Sequence, residues 1–268
     1  MQLIDAYNRK IDYLRISVTD RCNLRCVYCM PETGIKLIPR DEILTFEEIC
    51  EFTQFAVNLG IRKVRLTGGE PLVREGIVEL VRMLTRIEGI TDFSMTTNGT
   101  LLARYAHSLA DAGLHRVNIS LDTMRPDRYT QITRGGNIHD VLAGIESARD
   151  AGLHPIKINC VVEKSSDEPD AKAVRNFAVK NGYPVRFIRK MSISEGVFYP
   201  VEGGTGGDCK ICNRIRLTSD GYIKPCLMND IKFSIRELGY HRAIQLALDN
   251  KPKSGTSSRI NKFHSIGG

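Results

Sequence analysis

No stretch of the 268 residues approaches 18 uninterrupted apolar side chains, the length a membrane-crossing helix needs, so no span is predicted. The opening Met1-Gln2-Leu3-Ile4-Asp5-Ala6-Tyr7 lacks a basic region leading into an apolar core. It does not read as a secretory signal, and a cytoplasmic location is expected. There is no run of five or more basic residues and no segment that interleaves basic and aromatic side chains, so nucleic acid is a poor fit as a partner. The charge is nevertheless positive, a formal +7, with its Lys and Arg scattered along the chain. Scattered cations serve solubility or hold a small polyanion.

Cysteine is well represented. Eight occur, at 22, 26, 29, 50, 160, 209, 212 and 226, and six of them form two tight groups far apart in the chain. In a reducing compartment such grouping points to metal or cluster ligation over disulfides. Cys50 and Cys160 lie within apolar helix-like and strand-like patterns and read as small core residues. Cys22, Cys26 and Cys29 have the spacing C-x3-C-x2-C. A closed zinc site wants four ligands, and no fourth Cys or His is near. Three thiolates can instead hold three irons of a 4Fe–4S cluster and leave the fourth open. Cys209 and Cys212, followed after thirteen residues by Cys226, again number only three. Taken alone, the C-x2-C pair also suits half a zinc ribbon, and a basic zinc-binding nucleic-acid adaptor stays open on the residues alone.

Between residues 12 and 190, β-rich runs alternate with amphipathic stretches. Strands are predicted over 12–18, 63–67, 92–97, 116–121, 156–162 and 184–190, with helices such as 46–59 and 138–150 between them. Thr45-Phe46-Glu47-Glu48 reads as a capping box, and several helices are predicted to end at glycine, at 60, 113, 152 and 182. Repeated strand–helix alternation implies a parallel sheet covered by helices. Six units fall short of a closed eight-stranded barrel, so the expected fold is α/β with an open, partial barrel, and the pattern breaks after residue 191. Active sites in such sheets lie at the C-terminal strand ends. The Cys22 group, Gly68-Gly69-Glu70-Pro71, Asn98, Ser120 and Asp122 all fall there. Lys63 and Arg65 alternate on one strand and so share a face, as do Arg214 and Arg216 if that segment is extended. Residues 194–208 read as loop, 234–248 as a short helix, and 250–262 as a basic, mobile segment before Gly267-Gly268.

The first cysteine motif, with aromatic Tyr28 before its last Cys and Gly68-Gly69-Glu70-Pro71 one strand later, resembles the signature of the radical S-adenosylmethionine (SAM) superfamily. Leu14-Arg15-Ile16-Ser17-Val18-Thr19-Asp20-Arg21, Thr96-Thr97-Asn98-Gly99, the run from Cys212-Asn213-Arg214-Ile215-Arg216 to Pro225-Cys226-Leu227, and the terminal Gly-Gly together resemble its GTP 3′,8-cyclase (MoaA) family of molybdenum cofactor biosynthesis. The resemblance implies a TIM-like partial (βα)6 barrel over 1–191 with a small C-terminal iron–sulfur cap over 192–268, and two 4Fe–4S clusters, on Cys22, Cys26 and Cys29 and on Cys209, Cys212 and Cys226. It implies that SAM is cleaved at the first to a 5′-deoxyadenosyl radical, that this radical takes the ribose 3′ hydrogen of GTP, and that C3′ then joins C8, giving 3′,8-cyclo-7,8-dihydro-GTP. It assigns SAM contacts to Tyr28, Gly69, Ser120, Arg186 and Met191, and GTP contacts to Arg15, Lys63, Arg65, Thr96, Lys157, Arg214 and Arg216. Gly267 and Gly268 are assigned to orienting the catalytic groups. A flavodoxin- or ferredoxin-type electron donor and a downstream cyclic pyranopterin monophosphate synthase are implied as partners, and a homodimer is admitted. Two departures stand out: the 192–208 segment is shorter than the family's, and Arg189 replaces the usual acidic residue. A related two-cluster enzyme acting on a peptide or another nucleotide is the alternative.

Overall fold

The computed structural model describes residues 2–261 and Phe263; Gly267 and Gly268 lie outside the described residues. Six strands, β1 (Tyr13–Ser17), β2 (Lys63–Thr67), β3 (Asp92–Thr97), β4 (Arg116–Ser120), β5 (Lys157–Val162) and β6 (Val185–Arg189), pair in parallel in chain order. Each lies within a residue or so of the run predicted from the sequence. The crossovers carry α1 (Phe46–Asn58), α2 (Ile77–Thr85), α3 (Leu102–Asp111), α4 (Pro126–Thr133), α5 (Ile138–Asp150) and α6 (Pro169–Lys180). Alpha-helix α1 starts on the expected capping box: Glu48 N donates to Thr45 Oγ1 at 3.2 Å and Thr45 N to Glu48 Oε2 at 2.7 Å. Two orphan donors are thus satisfied at once.

The strands divide by face. Leu14, Ile16, Val64 and Leu66 are fully buried on the face that carries the helices. Their alternates Tyr13, Arg15, Lys63 and Arg65 point the other way, toward the concave side. In a closed TIM barrel that inner face is filled by branched aliphatic side chains; here it carries cations and polar groups.

The chain then returns to the sheet it has already built. β7 (Arg214–Leu217) pairs in parallel with β1, and β8 (Tyr222–Lys224) and β9 (Phe233–Ser234) extend it antiparallel, before α7 (Ile235–Asp249). The strand order is β6-β5-β4-β3-β2-β1-β7-β8-β9, so residues 214–234 add three strands to one continuous sheet. The predicted extended segment at Arg214 and Arg216 is β7. Residues 194–208 are loop, pinned by isolated bridges between Ser192 and Val197 and between Phe187 and Glu202.

One sequence expectation fails here. The 250–261 stretch is anchored where mobility was expected: Thr256 N donates to Met228 O at 2.8 Å, Ser258 N to Ile193 O at 2.9 Å, and Asn261 Nδ2 to Leu227 O and Asn229 O at 2.7 Å each. Its polar side chains are spent on carbonyls distant in sequence, which no local pattern reveals. Of the two cysteines expected in the core, Cys160 is buried, while Cys50 is half-buried against α1's packing neighbours.

Candidate active site

Cys22, Cys26 and Cys29 sit on the loop after β1. That loop is held from outside: Arg25 N and Val27 N donate to Thr133 O and Ile132 O at the end of α4. Arg134, in the left-handed conformation just beyond it, donates to Arg25 O and Met30 O. Cys29 N and Met30 N both donate back to Cys26 O, forming a tight turn. The three thiols line one cavity of about 200 Å³ at the C-terminal strand ends. Burial pushes Cys22 up to about 11 and Cys26 and Cys29 up to about 12, so these thiols stay protonated until a metal displaces the proton.

Gly68 and Gly69 press on the stretch that delivers Cys22. A Cβ on Gly69 would lie 2.3 Å from Arg21 O, and one on Gly68, whose φ is +149°, 2.5 Å from Thr19 O. The same approach allows Gly69 N to donate to Thr19 O and Glu70 N to Arg21 O, each at 2.8 Å. Glu70 faces inward, accepting from Leu72 N (3.0 Å), Thr97 Oγ1 (2.7 Å) and Asn98 N (2.7 Å). It welds the ends of β2 and β3, while burial raises its carboxyl to about 7. Asn98 Nδ2 in turn donates to Cys22 Sγ at 3.8 Å. Tyr28 Oη donates to Asp122 Oδ2 at 2.7 Å, and Asp122 Oδ1 accepts from Val161 N at 2.8 Å. The ring beside Cys29 is thereby fixed against β4 and β5.

A second cavity, of about 210 Å³, lies deeper on the concave side. Arg65, Arg15 and Arg216 stand in register on neighbouring strands β2, β1 and β7, and all three are buried. Burial lowers the Arg15 pKa, and the neighbouring Arg216 lowers it further; burial brings Arg216 itself to about 10. Arg186 from β6 and Arg214 from β7 complete the lining. Because β6 and β7 belong to opposite ends of the parallel array yet face one cavity, the sheet must curl around it. Tyr13 lies between Arg65 and Arg214, whose guanidinium carbons are 5.3 and 5.8 Å from its ring centroid. Tyr13 Oη, Arg214 Nε and Thr96 Oγ1 are buried with no hydrogen-bond partner among the described residues. Such orphaned groups are costly unless a ligand satisfies them.

The second cysteine group borders this cavity. Cys209, Cys212 and Cys226 all line it, brought together because the hairpin of β7 and β8 places Cys212 before one strand and Cys226 after the other. Arg9 ties the loop down, donating to Cys209 O (2.7 Å), Pro252 O (2.7 Å) and Lys253 O (3.1 Å) while paired with Asp5 at 2.6 Å. Burial raises Cys212, but Lys251 and Arg214 outweigh it and hold the thiol below its ordinary value.

The two cavities share Asn159, Ile188 and Met191 as a common wall. Of the positions assigned to SAM, Tyr28, Gly69, Ser120 and Met191 line the first cavity, whereas Arg186 lines the second. Of those assigned to GTP, Arg15, Arg65, Arg214 and Arg216 line the second and Thr96 the first. Lys63 lines neither and pairs with Asp12 at 3.1 Å. Lys157 also lines neither, and burial, with Arg186 and Arg116, lowers its pKa. Sequence reasoning missed Tyr13, Arg9, Asn159 and Lys251. Tyr13 alone had a signal, its alternation with Arg15 on the same strand face.

Residues 16–178 match the model of the Radical SAM superfamily. The chain is 43% identical to a GTP 3′,8-cyclase of Pelotomaculum thermopropionicum, covering 87% of each chain. To one of Listeria monocytogenes it is 40% identical, covering 95% of this chain and 92% of the other. The chain belongs to the GTP 3′,8-cyclase family of radical SAM enzymes. The Pelotomaculum match runs over 284 positions, so that relative carries residues with no counterpart in this shorter chain. Among solved structures, SuiB of Streptococcus suis bound to precursor peptide SuiA superposes with a TM-score of 0.68 at 14% identity, over 91% of this chain and 66% of that one. Methylornithine synthase does so at 0.57 and 16%, over 97% and 75%. These two establish the shared fold.

Members of the GTP 3′,8-cyclase family use SAM and two 4Fe–4S clusters, and this chain's residues suit them. None of the six grouped cysteines is in a disulfide. Among the described residues no three of His, Cys, Asp and Glu gather as a single metal ion requires, whereas a cluster takes each thiolate on a separate iron. Cys22, Cys26 and Cys29 would hold one cluster, Cys209, Cys212 and Cys226 the other. Among the described residues no helix is long and apolar enough to cross a membrane.

Proposed function

We propose that this chain converts GTP to 3′,8-cyclo-7,8-dihydro-GTP in molybdenum cofactor biosynthesis. The observation that carries the reading is the pair of adjoining cavities, one lined by Cys22, Cys26 and Cys29 and the other by clustered arginines. A triphosphate is a compact polyanion, and guanidinium groups hold such oxygens through charge-assisted bonds. Arg15, Arg65, Arg214 and Arg216 hold the triphosphate and ribose, leaving the purine to face the second cysteine group. Tyr13 Oη and Thr96 Oγ1 supply hydrogen bonds to substrate. Lys63 and Lys157, on the strands beside the arginine cavity, add positive charge that attracts the nucleotide.

Tyr28, Gly69, Ser120 and Met191, which line the first cavity, would hold SAM, whose reductive cleavage would supply a carbon radical there. The shared wall of Asn159, Ile188 and Met191 sets the distance between that radical and the ribose, and so the effective molarity of the hydrogen transfer. Arg186 bridges toward the phosphate side. Residues 192–268 act as the substrate-binding cap, and Gly267 and Gly268 orient groups around GTP. A flavodoxin- or ferredoxin-type protein delivers the electron, and a cyclic pyranopterin monophosphate synthase takes the product.

The test is an anaerobic assay of the iron–sulfur-reconstituted protein with SAM, reductant and GTP, with ATP, CTP and a basic peptide as alternatives. The proposal expects cyclised product from GTP alone. Turnover of SAM with a peptide substrate and none with GTP overturns it.

A further inference from the structure

We infer that Lys251, which follows α7 and is distant in sequence from every cysteine, is a positioning residue for the cluster of Cys209, Cys212 and Cys226, clasping its hairpin and raising its reduction potential. The inference rests on the reading that these three thiolates hold a cluster.

Lys251 is 3% exposed. Its Nζ donates to Pro225 O at 2.6 Å, to Arg214 O at 2.8 Å and to Cys212 Sγ at 3.5 Å. Those acceptors lie on both arms of the β7–β8 hairpin, one beside Cys212 and the other immediately before Cys226. A single ammonium therefore fixes the spacing between two ligands that are fourteen positions apart in sequence. All three hydrogen bonds of its ammonium are spent there, and among the described residues no carboxylate is paired with it. A buried ammonium in that state needs a counter-charge, and the ligating thiolates are the negative groups within reach. Ser254 extends the pattern on the same strap, its Oγ donating to Cys209 Sγ at 3.7 Å. Iron–sulfur potentials respond to net charge, hydrogen bonds to sulfur and solvent exposure. A cation donating to a ligand sulfur stabilises the reduced, more negative cluster and moves its potential upward.

The test uses the full chain with Cys22, Cys26 and Cys29 replaced by Ala, so that only the second cluster is built. Iron content after anaerobic reconstitution and the midpoint of an EPR-monitored redox titration are read for this background and with Lys251→Met or Lys251→Arg added. The inference expects about four irons in the background. It expects a lower iron content and a more negative midpoint for Lys251→Met, and values near the background for Lys251→Arg. Should Lys251→Met fail to fold, Lys251→Gln keeps donors for the two carbonyls while removing the charge, and its midpoint is expected to fall likewise. Unchanged iron and midpoint in the uncharged variant overturn the inference and leave the cluster reading intact. A background that takes up no iron overturns the cluster reading and this inference with it.

Discussion

Arg15 of β1 and Arg216 of β7 stand in register on adjacent parallel strands, both buried; burial and then Arg216 lower the pKa of Arg15, and burial and then Arg214 lower that of Arg216. Guanidinium groups so gathered suit a compact polyanion, which they hold through charge-assisted bonds. Arg15→Met is expected to weaken GTP binding ~10- to 100-fold, the loss of a charge-assisted bond. Titration calorimetry with GTP, beside a thermal melt of each protein, checks it. A lower midpoint together with unchanged GTP affinity would mean that the cluster supports the fold.

Gly69 carries a prediction about assembly. Its Cβ position meets the carbonyl of Arg21, which is backbone and cannot swing aside. Gly69→Ala should push the 19–22 stretch outward, at on the order of 1–3 kcal/mol, and misplace Cys22. Iron content after reconstitution is expected to fall toward that of a one-cluster protein. Retention of both clusters would show that the loop relaxes freely.

The two cysteine groups should separate by phenotype. Cys26→Ala is expected to abolish 5′-deoxyadenosine formation with dithionite, because its group serves SAM. Cys212→Ala should leave part of that cleavage and lose cyclised product, because its group borders the arginine cavity. Liquid chromatography of both products in each variant checks the division; equal effects would join the two groups in one role.

Glu70 gives a pH dependence of known sign. Burial raises its carboxyl from 4.5 to about 7 in the folded state, so the fold binds that proton more tightly than the unfolded chain does. The stabilisation is complete below about pH 4.5 and is lost as pH rises through about 7. Thermal melts of the apoprotein across that window should decline with pH more steeply for the wild type than for Glu70→Gln. Parallel slopes would remove Glu70 as the titrating group.

The periodicity of the parallel strands was legible because each crossover is local and each strand carries its own apolar face, as in Leu14 and Ile16 or Val64 and Leu66. The two cysteine groups were legible because ligand spacing is written in the chain. The clasp of Lys251, the Arg9 tie and the ordering of 250–261 were not, because each depends on carbonyls dozens to hundreds of residues away. Lys63 shows the limit from the other side: alternation places it on the same strand face as Arg65, but Asp12 claims its ammonium at the strand's start. The inward polar face carried a signal in the alternation of Tyr13 with Arg15. Its consequence, a cavity running toward the N-terminal ends of the strands, needed the curl that brings β6 and β7 together.

The most direct measurement follows the hydrogen itself. GTP deuterated at C3′ is turned over anaerobically with SAM, and 5′-deoxyadenosine is examined by mass spectrometry. If the shared wall of Asn159, Ile188 and Met191 brings the radical to the ribose, one deuterium appears in 5′-deoxyadenosine in step with cyclised nucleotide. Unlabelled 5′-deoxyadenosine accompanying GTP turnover would contradict the account.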